Sequence, residues 1–566
     1  VREPLNVVFL SCNAKPVWKK RGAIFRPLTD VHLRAGLTFV DFHPAVSSAT
    51  DSLIDGREEH QFGKGDDPGG CVRDDLDDTC VSCADCHNTG RLGAPIAKHR
   101  WLPPLHLEKI ACQTCHIFER PVKAALAQAS DVFNPGTRIP TKGKHLWTFY
   151  GPDGDYWNHY GDLEMMGYDD KPTDSFHPAL ARYKGKIYPV NRIHSAWPGI
   201  EVEGETALMQ PKMGDVYKMW TSHNANAAEY PELSKVRDDN GDGVPEINRR
   251  EEIDALIRSV GNMLKETDYP MEGKRVVWVM DDRVYSSGTE FRVLEKHPWE
   301  ASPYANVHKY NHDVLPAKAA LGANGCTDCH SPDSEFFFAA NVKYLFDENA
   351  QPVTEPQYQL MGLSLPEVTV GVWREATLKP ITYGLILVLC IGISAMLGGY
   401  ALCWTFEPRP VPVTLRVLPA VIALFSCIGA LMLLWQPLLL NFMLPTRFWL
   451  DSNHFLVAVV VLIIASAFLF QELKQRVSSE RSQRSWLGLL TAVELLISLL
   501  LACIAGVLIF LKIPGLDQVT RYSYTAFDLA LALAVLGTLV SAVHSAGQMA
   551  FCPRSDRGSA ATSYVQ

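Results

Sequence analysis

The chain divides near residue 376 into a polar half and an apolar half. Asp, Pro, Gly, Trp and Tyr are frequent up to residue 375, whereas Leu, Ile, Val and Ala dominate residues 378–551. A helix that crosses the hydrocarbon core of a bilayer needs about 20 apolar residues. Five segments reach that length, namely 380–404, 413–437, 453–471, 486–511 and 525–550. The pattern therefore predicts a five-helix transmembrane domain at 376–552, followed by a tail at 553–566.

Shorter patterns predict the fold of the polar half. Apolar residues recur at helical spacing within Arg249–Lys265, which predicts an amphipathic helix. Val276–Met280 and Val284–Ser287 read as two strands joined by a short turn, which predicts a β-hairpin. We therefore expect a mainly α protein, with an irregular haem-packed N-terminal domain and a small insert that contains the hairpin.

Three copies of Cys-x-x-Cys-His stand in the polar half. Two thiols at this spacing form thioether bonds to the vinyl groups of haem, and the adjacent histidine binds the iron. A structural zinc site would need further paired Cys or His at finger spacing. The sequence thus predicts three covalent c-type haems, with iron bound by the three histidines. The residues concerned are Cys83, Cys86, His87, Cys112, Cys115, His116, Cys326, Cys329 and His330.

Low-spin haems that transfer electrons usually have a second axial ligand, and neutral imidazole is a common one. Several histidines lie close to the motifs in sequence, and any of them is otherwise a surface or hydrogen-bonding residue. We favour His106 and His312, each ahead of a motif, and assign no pairings. The other candidates are His32, His43, His60, His99 and His308.

The stretch from His32 to His43 resembles a fourth haem motif. If Phe39 and Phe42 were cysteines, residues 39–43 would form a complete Cys-x-x-Cys-His motif that ends at His43. One interpretation is a degenerate site that holds haem without covalent bonds, or whose phenylalanines fill the vacancy left by the porphyrin. The alternative is a chance pair of histidines in a loop.

The motifs divide the polar half into three parts. Residues 1–135 form a haem-binding region, 136–300 a haem-free insert, and 301–375 the third haem region with a linker. The insert contains the start of a calcium loop, with oxygen ligands at alternate positions and then a glycine. The twelfth position is Arg249 rather than glutamate, so an ordinary Asx-rich turn is the alternative. The candidate calcium ligands are Asp238, Asn240, Asp242 and Glu246.

The net charge of -9 and the lack of a basic cluster argue against nucleic acid as a partner.

The compartment of haem attachment and the charge of one loop predict the same membrane orientation. Haem attachment to these motifs occurs outside the cytoplasm, which predicts a periplasmic N-terminal domain. Basic residues in the third connection of the apolar half, Lys474 to Arg484, indicate a cytoplasmic loop there. We therefore expect a multi-pass protein of the inner membrane, with its C-terminal tail in the cytoplasm.

Because Val1 does not begin a signal peptide, we expect a processed chain or a fragment of a longer cytochrome.

Ionisable residues within or near apolar spans are functional candidates. Asp451 and His454 stand at the outer start of the third span, where they could accept the protons of a hydroquinone. Glu494 and His544 lie at similar depths in the fourth and fifth spans and could pair. The apolar half is then a module that interacts with quinone, or alternatively a bare anchor.

The three motifs and the upstream histidines resemble multihaem c-type cytochromes. Residues 30–120 and 300–332 are most similar to the octahaem group of tetrathionate reductase and hydroxylamine-oxidoreductase-like proteins. That resemblance implies proximal iron ligation by His87, His116 and His330. The chain departs from the group in having three motifs rather than eight and in its membrane half.

Three functions follow as hypotheses. The first is a membrane-bound cytochrome that transfers electrons between the quinone pool, or other redox subunits or cytochromes in the membrane, and a periplasmic acceptor. The second is an enzyme that acts on nitrite, hydroxylamine or tetrathionate at a haem with an open axial position. The third is a structural subunit in which the haem motifs serve docking.

Overall fold

The chain separates into two units. The first comprises Val1–Ala323 and Glu335–Ser364, and the second comprises Asn324–Ser334 and Leu365–Gln566. The third haem motif therefore belongs to the same unit as the apolar helices. The computed structural model describes residues 29–42, 81–99, 102–119, 126–129, 148–150, 177–239, 245–288, 291–305, 307–406, 454–478, 486–511 and 517–550.

Short helices carry the first two motifs, and side chains cap the helix of the first motif and the short helix that contains His32. Asp30 caps the first helix by accepting hydrogen bonds from the backbone N–H groups of His32 and Leu33, at 2.8 and 3.3 Å. Ser82 and Asp85 form a capping box at the start of the helix that contains the first motif. The helices of this unit are α1 (Val31–Arg34), α2 (Phe39–Phe42), α3 (Cys83–His87), α4 (Pro104–Lys109), α5 (Cys112–His116), α6 (Met213–Ala225), α7 (Arg250–Glu266), α8 (Glu335–Phe338) and α9 (Gln357–Leu360).

The first unit contains more β-structure than the sequence predicted. Its described strands form three sheets, with the orders β2-β1-β5-β6-β7-β8, β3-β4-β9 and β10-β11. The strands are β1 (Leu126–Ala129), β2 (Thr148–Tyr150), β3 (Ala179–Tyr183), β4 (Lys186–Arg192), β5 (His194–Val202), β6 (Lys274–Met280), β7 (Arg283–Tyr285), β8 (Arg292–Val293), β9 (Val307–Lys309), β10 (Ala340–Tyr344) and β11 (Val353–Pro356).

The core of the first unit lies between the largest sheet and α7. β5 and β6 pair antiparallel from Ala196 opposite Met280 to Val202 opposite Lys274. The apolar face of α7 packs with side chains of this sheet in one buried cluster. The predicted helix is thus confirmed. The predicted hairpin is confirmed as β6 and β7, joined by the two residues Asp281 and Asp282 because Met280 already pairs with Arg283.

Long apolar helices dominate the second unit. Four described helices are long and apolar enough to cross a membrane, with spans at Leu365–Ile393, His454–Lys474, Trp486–Ile509 and Tyr522–His544. The predicted span 413–437 lies outside the described residues, so the count of five stays a prediction. The helices are α10 (Leu365–Trp373), a π-helical turn (Arg374–Leu378), α11 (Lys379–Phe406), α12 (His454–Ser478), α13 (Trp486–Leu511) and α14 (Asp517–Ala550).

Small side chains bring these helices together. Ala458 in α12, Ala505 in α13 and Ala530 in α14 are buried in one apolar cluster that also includes Ile386 of α11. Some large apolar residues join this cluster, and others such as Ile463 are exposed on the outer surface. Small residues at the helix contacts and an apolar outer surface are the arrangement expected of helices that pack in lipid. The second unit is accordingly described as a multi-pass membrane domain.

Candidate functional sites

The first two motifs lie side by side. Each occupies one short helix, so its two cysteines stand three residues apart on one helical face. The thiols of Cys83 in α3 and Cys112 in α5 are joined by a hydrogen bond. Burial raises the pKa of the Cys115 thiol to about 11. All four motif cysteines of this unit are outside any disulfide and so available for thioether bonds.

His87 of the first motif faces a histidine distant in sequence. Its ring centroid lies 6.0 Å from that of His32 in α1. Nδ1 of His87 donates a hydrogen bond to the carbonyl of Pro95 at 2.8 Å. Nδ1 of His32 lies 3.5 Å from a carboxylate oxygen of Asp30. Each Nδ1 thus has a backbone or carboxylate neighbour, which is how proteins orient an imidazole whose Nε2 binds a metal.

His116 of the second motif has a similar neighbour. Its ring centroid lies 6.4 Å from that of His99. Burial lowers the pKa of His116, and the nearby His99 and His87 lower it further. The neutral imidazole, the form that can bind a metal, is therefore favoured at neutral pH.

These two separations fit one metal ion between each pair of rings. Imidazole nitrogen binds first-row metals at about 2 Å, so two rings on opposite sides of an ion have centroids about 6 Å apart. The observed 6.0 and 6.4 Å agree with that value. The residues of the first unit therefore fit two haems with bis-histidine ligation. We call His32, His87, His99 and His116 the paired histidines.

The histidines beside the motif histidines are not the two that the sequence favoured, although His32 and His99 were among the other candidates. His106 lies in α4, and His312 lies in the segment that follows β9. For His308, in β9, only the backbone is described, and it pairs with Asn191. His43 and His60 lie outside the described residues.

Segments far apart in sequence hold the paired histidines in position. The buried Thr114 in α5 donates a hydrogen bond to the carbonyl of Ile187 in β4 at 2.6 Å. The backbone N–H of Leu315 donates to the carbonyl of His116 at 2.8 Å. Asp30 also accepts from the N–H groups of Asp313 and Val314, at 2.9 and 3.1 Å. A buried carboxylate thus ties the turn that carries His32 to the segment that supports His116.

The ionised form of the Asp30 carboxyl is strongly favoured in this position. Burial by itself would raise its pKa, but hydrogen bonds from the His32 side chain and from the backbone of Val314 and His32 lower that pKa to about 2. A charged carboxylate beside Nδ1 favours the His32 tautomer whose Nε2 has no proton, as a metal ligand requires.

The degenerate motif lies beside the first haem motif. The ring of Phe42 in α2 packs edge-on against His32, with centroids 5.4 Å apart. The backbone N–H of Val81 donates to the carbonyl of Phe42 at 2.9 Å. Phe42 therefore helps to enclose one paired histidine. The Phe39 side chain and His43 lie outside the described residues, so a non-covalent haem there stays a prediction.

The third motif contacts the start of the membrane helices. Nζ of Lys379 in α11 lies 4.0 Å from the sulfur of Cys326. A Cβ added at Gly371 in α10 would lie 3.1 Å from Nδ1 of His330. Glycine at this position therefore lets the motif histidine approach the helix backbone closely.

Next to this motif, the π-helical turn places charges inside the protein. The carboxylate of Glu375 is 2% exposed and forms ion pairs with Arg374 and Lys379, both at 2.7 Å. Removing these groups from water is costly unless they neutralise each other. A π-helical turn within an α-helix frequently marks a functional position.

The charges continue into a chain of groups that can exchange protons. Nε2 of His454 lies 2.6 Å from Asp528 in α14, and the hydroxyl of Tyr383 lies 3.0 Å from Nδ1 of His454. Nε of Arg374 lies 3.6 Å from Asp528. The ionic cluster is defined as Arg374, Glu375, Lys379, Tyr383, His454 and Asp528. Of the two residues predicted for this site, His454 belongs to it, and Asp451 lies outside the described residues.

The sequence missed most of the ionic cluster for a specific reason. The first span was predicted to start at residue 380, so Arg374 and Glu375 were placed in the linker and Lys379 just ahead of the span. Helix α10 in fact begins at Leu365 and continues into α11. Charged residues inside a continuous apolar helix are the signal that would have found them.

Other polar groups lie toward the opposite end of the bundle. Glu472 in α12 accepts a hydrogen bond from Ser541 at 2.6 Å and lies 3.7 Å from His544. Glu494 in α13 accepts from Ser498 at 3.1 Å. The predicted pairing of Glu494 with His544 is therefore wrong, since His544 lies beside Glu472. Equal depth does not decide which helical faces meet.

The predicted calcium loop is described only in part. Glu246 is buried and accepts a hydrogen bond from the N–H of Asp239 at 2.8 Å. Asp239 forms an ion pair with Arg249 at 2.9 Å, which closes the turn before α7. Asn240 and Asp242 lie outside the described residues. Within the ranges that are described, no group of three or more His, Cys, Asp or Glu side chains is arranged to hold a metal ion.

Comparison with protein-family models, with curated proteins and with solved structures gave no match to this chain.

Proposed function

We propose that this protein is a membrane-bound multihaem c-type cytochrome. It would transfer electrons between the quinone pool, or a membrane redox partner, and a periplasmic acceptor. The observation that carries the proposal is the pair of imidazole separations, 6.0 Å for His32 and His87 and 6.4 Å for His99 and His116. Both pairs include the histidine of a Cys-x-x-Cys-His motif.

The chain's own residues would hold and orient the cofactors. Bound haem supplies reversible one-electron chemistry at its iron. The cysteines of the three motifs would form the thioether bonds, and His87, His116 and His330 would be the proximal ligands. His32 and His99 would be the distal ligands in the first unit. Asp30 and the Pro95 carbonyl would fix ring orientation and make the imidazoles stronger donors.

The ionic cluster supports a role for the membrane half in proton-coupled electron transfer. Neutral His454, with Nε2–H donating to Asp528, accepts a hydrogen bond from Tyr383 at Nδ1. It can take up a proton at Nδ1, and Asp528 can then stabilise the positive charge of the ring. These are the groups that removing protons from a hydroquinone requires. The cluster belongs to the same unit as the third motif, and Lys379 contacts Cys326 of that motif. We infer that a quinone or a membrane redox partner meets the protein here.

The proposed location follows from attachment chemistry and loop charge. Haem is attached outside the cytoplasm, so the N-terminal unit would lie in the periplasm and the helices in the inner membrane. Basic residues between α12 and α13 support a cytoplasmic loop at that position. Calcium, if bound near Asp238 and Glu246, would stabilise the turn before α7.

The test compares His32→Ala with His297→Ala in the purified full chain. His297 is exposed and stacks on Trp299, so its loss should leave the spectra unchanged. We expect three haems by intact mass and pyridine haemochrome, in both variants and in the parent. In His32→Ala, one low-spin haem should become high-spin by electron paramagnetic resonance.

Two results would decide against the proposal. A colourless protein with six free motif thiols would remove the cofactor entirely. Unchanged low-spin signals in His32→Ala would show that His32 is not an axial ligand. A high-spin haem already present in the parent protein would instead favour the alternative, an enzyme that acts on nitrite, hydroxylamine or tetrathionate.

A further inference from the structure

A second set of polar residues lies within the membrane helices, apart from the ionic cluster. The buried members Glu472, Thr491, Ser498 and Ser541 are each less than 5% exposed. Glu472 stands 18 residues after His454 on α12, which is about 27 Å along a helix. The apolar cluster around Val461 and Ala530 occupies the bundle between them. The two sets of polar groups are therefore separate features.

These residues follow one another along facing helices. Gly537, Ser541 and His544 recur at spacings of four and three residues, so they share one face of α14. On α13, Gly488 approaches Glu472 so closely that an added Cβ would lie 2.7 Å from its carboxylate. Glu494 follows six residues later, about 9 Å further along the helix. We call Glu472, Thr491, Glu494, Ser498, Ser541 and His544 the polar column.

Glu494 is the deepest carboxyl of the polar column, and no basic side chain of the described residues forms an ion pair with it. Ser498 donates to its Oε1 at 3.1 Å. Its Oε2 is buried and has no hydrogen-bond partner in the described part of the chain. A Cβ added at Gly537 would overlap this carboxylate, so glycine makes the space that the group occupies. Ionisation is costly for a carboxyl whose buried oxygen has no partner, whereas the protonated form avoids most of that cost.

We propose that Glu494 is a proton-binding carboxyl, reached through the polar column from the end of the bundle that contains Glu472 and His544. Ser541, hydrogen-bonded to Glu472, stands between that end and Gly537. The hydroxyls of Thr491 and Ser541 can donate and accept, as a proton path requires. The site takes a proton and needs neither haem nor quinone, so it is independent of the function proposed above.

The first test uses dicyclohexylcarbodiimide, which reacts with protonated carboxyls in apolar surroundings. In the full chain in membrane vesicles, we expect one adduct, located at Glu494 by peptide mass spectrometry. Glu494→Gln should abolish it, and Gly537→Ala should reduce it several-fold because the new Cβ displaces the carboxyl. Gly506→Ala is the matched control on α13, since its Cβ would meet only Phe527 at 3.8 Å. Suppression of the adduct by Na⁺ at constant pH would indicate a sodium site and overturn the proposal.

Infrared spectroscopy gives a second readout that does not depend on reagent access. The carbonyl band of a protonated carboxyl should be present in the parent chain and absent in Glu494→Gln. Transfer to D₂O should shift this band, and Ser541→Ala should slow the shift several-fold. Ser523→Ala, on the same helix near the opposite end, is the control. If the band is missing, Glu494 is ionised and the proposal fails. Equal exchange in Ser541→Ala and the parent would disprove the path through the polar column.

Discussion

The paired histidines and the ionic cluster use polar groups in opposite ways. In the first unit, neighbouring oxygen atoms hold Nδ1 of His32 and His87, so Nε2 of each ring would be the iron ligand in the proposed function. In the second unit, the carboxylates of Glu375 and Asp528 balance the positive charges of Arg374 and Lys379 inside the protein. In the proposed function a metal would complete the first arrangement, whereas in the second the charges of the side chains balance one another. Polar side chains held by partners therefore indicate a metal ligand only where a donor atom remains, and balanced buried charges require no metal.

The largest effect should come from unbalancing the ionic cluster. Glu375→Gln would leave Arg374 and Lys379 as buried cations with too little negative charge, which typically costs about 3–5 kcal/mol. We expect a large loss of thermal stability in detergent. The double variant Glu375→Leu with Lys379→Met removes one charge of each sign and should recover most of that stability. If the double variant were as unstable as Glu375→Gln, the ion pair itself, and not the balance of charge in the cluster, would stabilise the packing of the helices.

A smaller effect should come from the carboxylate that supports the paired histidines. Because hydrogen bonds lower the pKa of Asp30 from 3.8 to about 2, its ionised form stabilises the fold by roughly 2 kcal/mol at neutral pH. This contribution is complete above the unfolded pKa of about 4 and is lost as the pH falls toward 2. Asp30→Asn keeps an oxygen that can cap α1 but removes the charge.

Denaturant unfolding at pH 7 and at pH 2.5 measures this contribution. The parent and Asp30→Asn should differ most at pH 7 and converge in acid. A difference that stays constant with pH would mean that the carboxylate charge does not stabilise the fold.

The smallest effect should come from the glycine against the third motif. In Gly371→Ala the new Cβ would stand 3.1 Å from His330, so the ring must move by a few tenths of an ångström. We expect a shift in the reduction potential of one haem, with the haem content unchanged. Gly384→Ala, one helix further along the same span, is the control because an added Cβ meets nothing within 4 Å. Equal reduction potentials in Gly371→Ala and Gly384→Ala would show that the contact between His330 and α10 does not affect the haem.

Much of the fold follows from local pattern. The periodicity around Ile253 was sufficient for α7, and the alternation on both sides of Asp281 was sufficient for the hairpin of β6 and β7. Most other strands were missed, because short strands such as β8 and β9 carry too few residues for alternation to be recognised. Their pairing partners lie far away in sequence and stabilise them only in the folded protein.

The sequence by itself determined the three Cys-x-x-Cys-His motifs and the apolar character of the second unit, because both depend on residues close together in the chain. Only the tertiary structure decided that His32 and His99 face the motif histidines, and that Glu375 and Asp528 share one cluster. It also decided that His544 lies beside Glu472. Metal ligation and ion pairing depend on distances between side chains. Packing between segments that are far apart in the sequence sets those distances, and local sequence patterns do not show which segments will pack together.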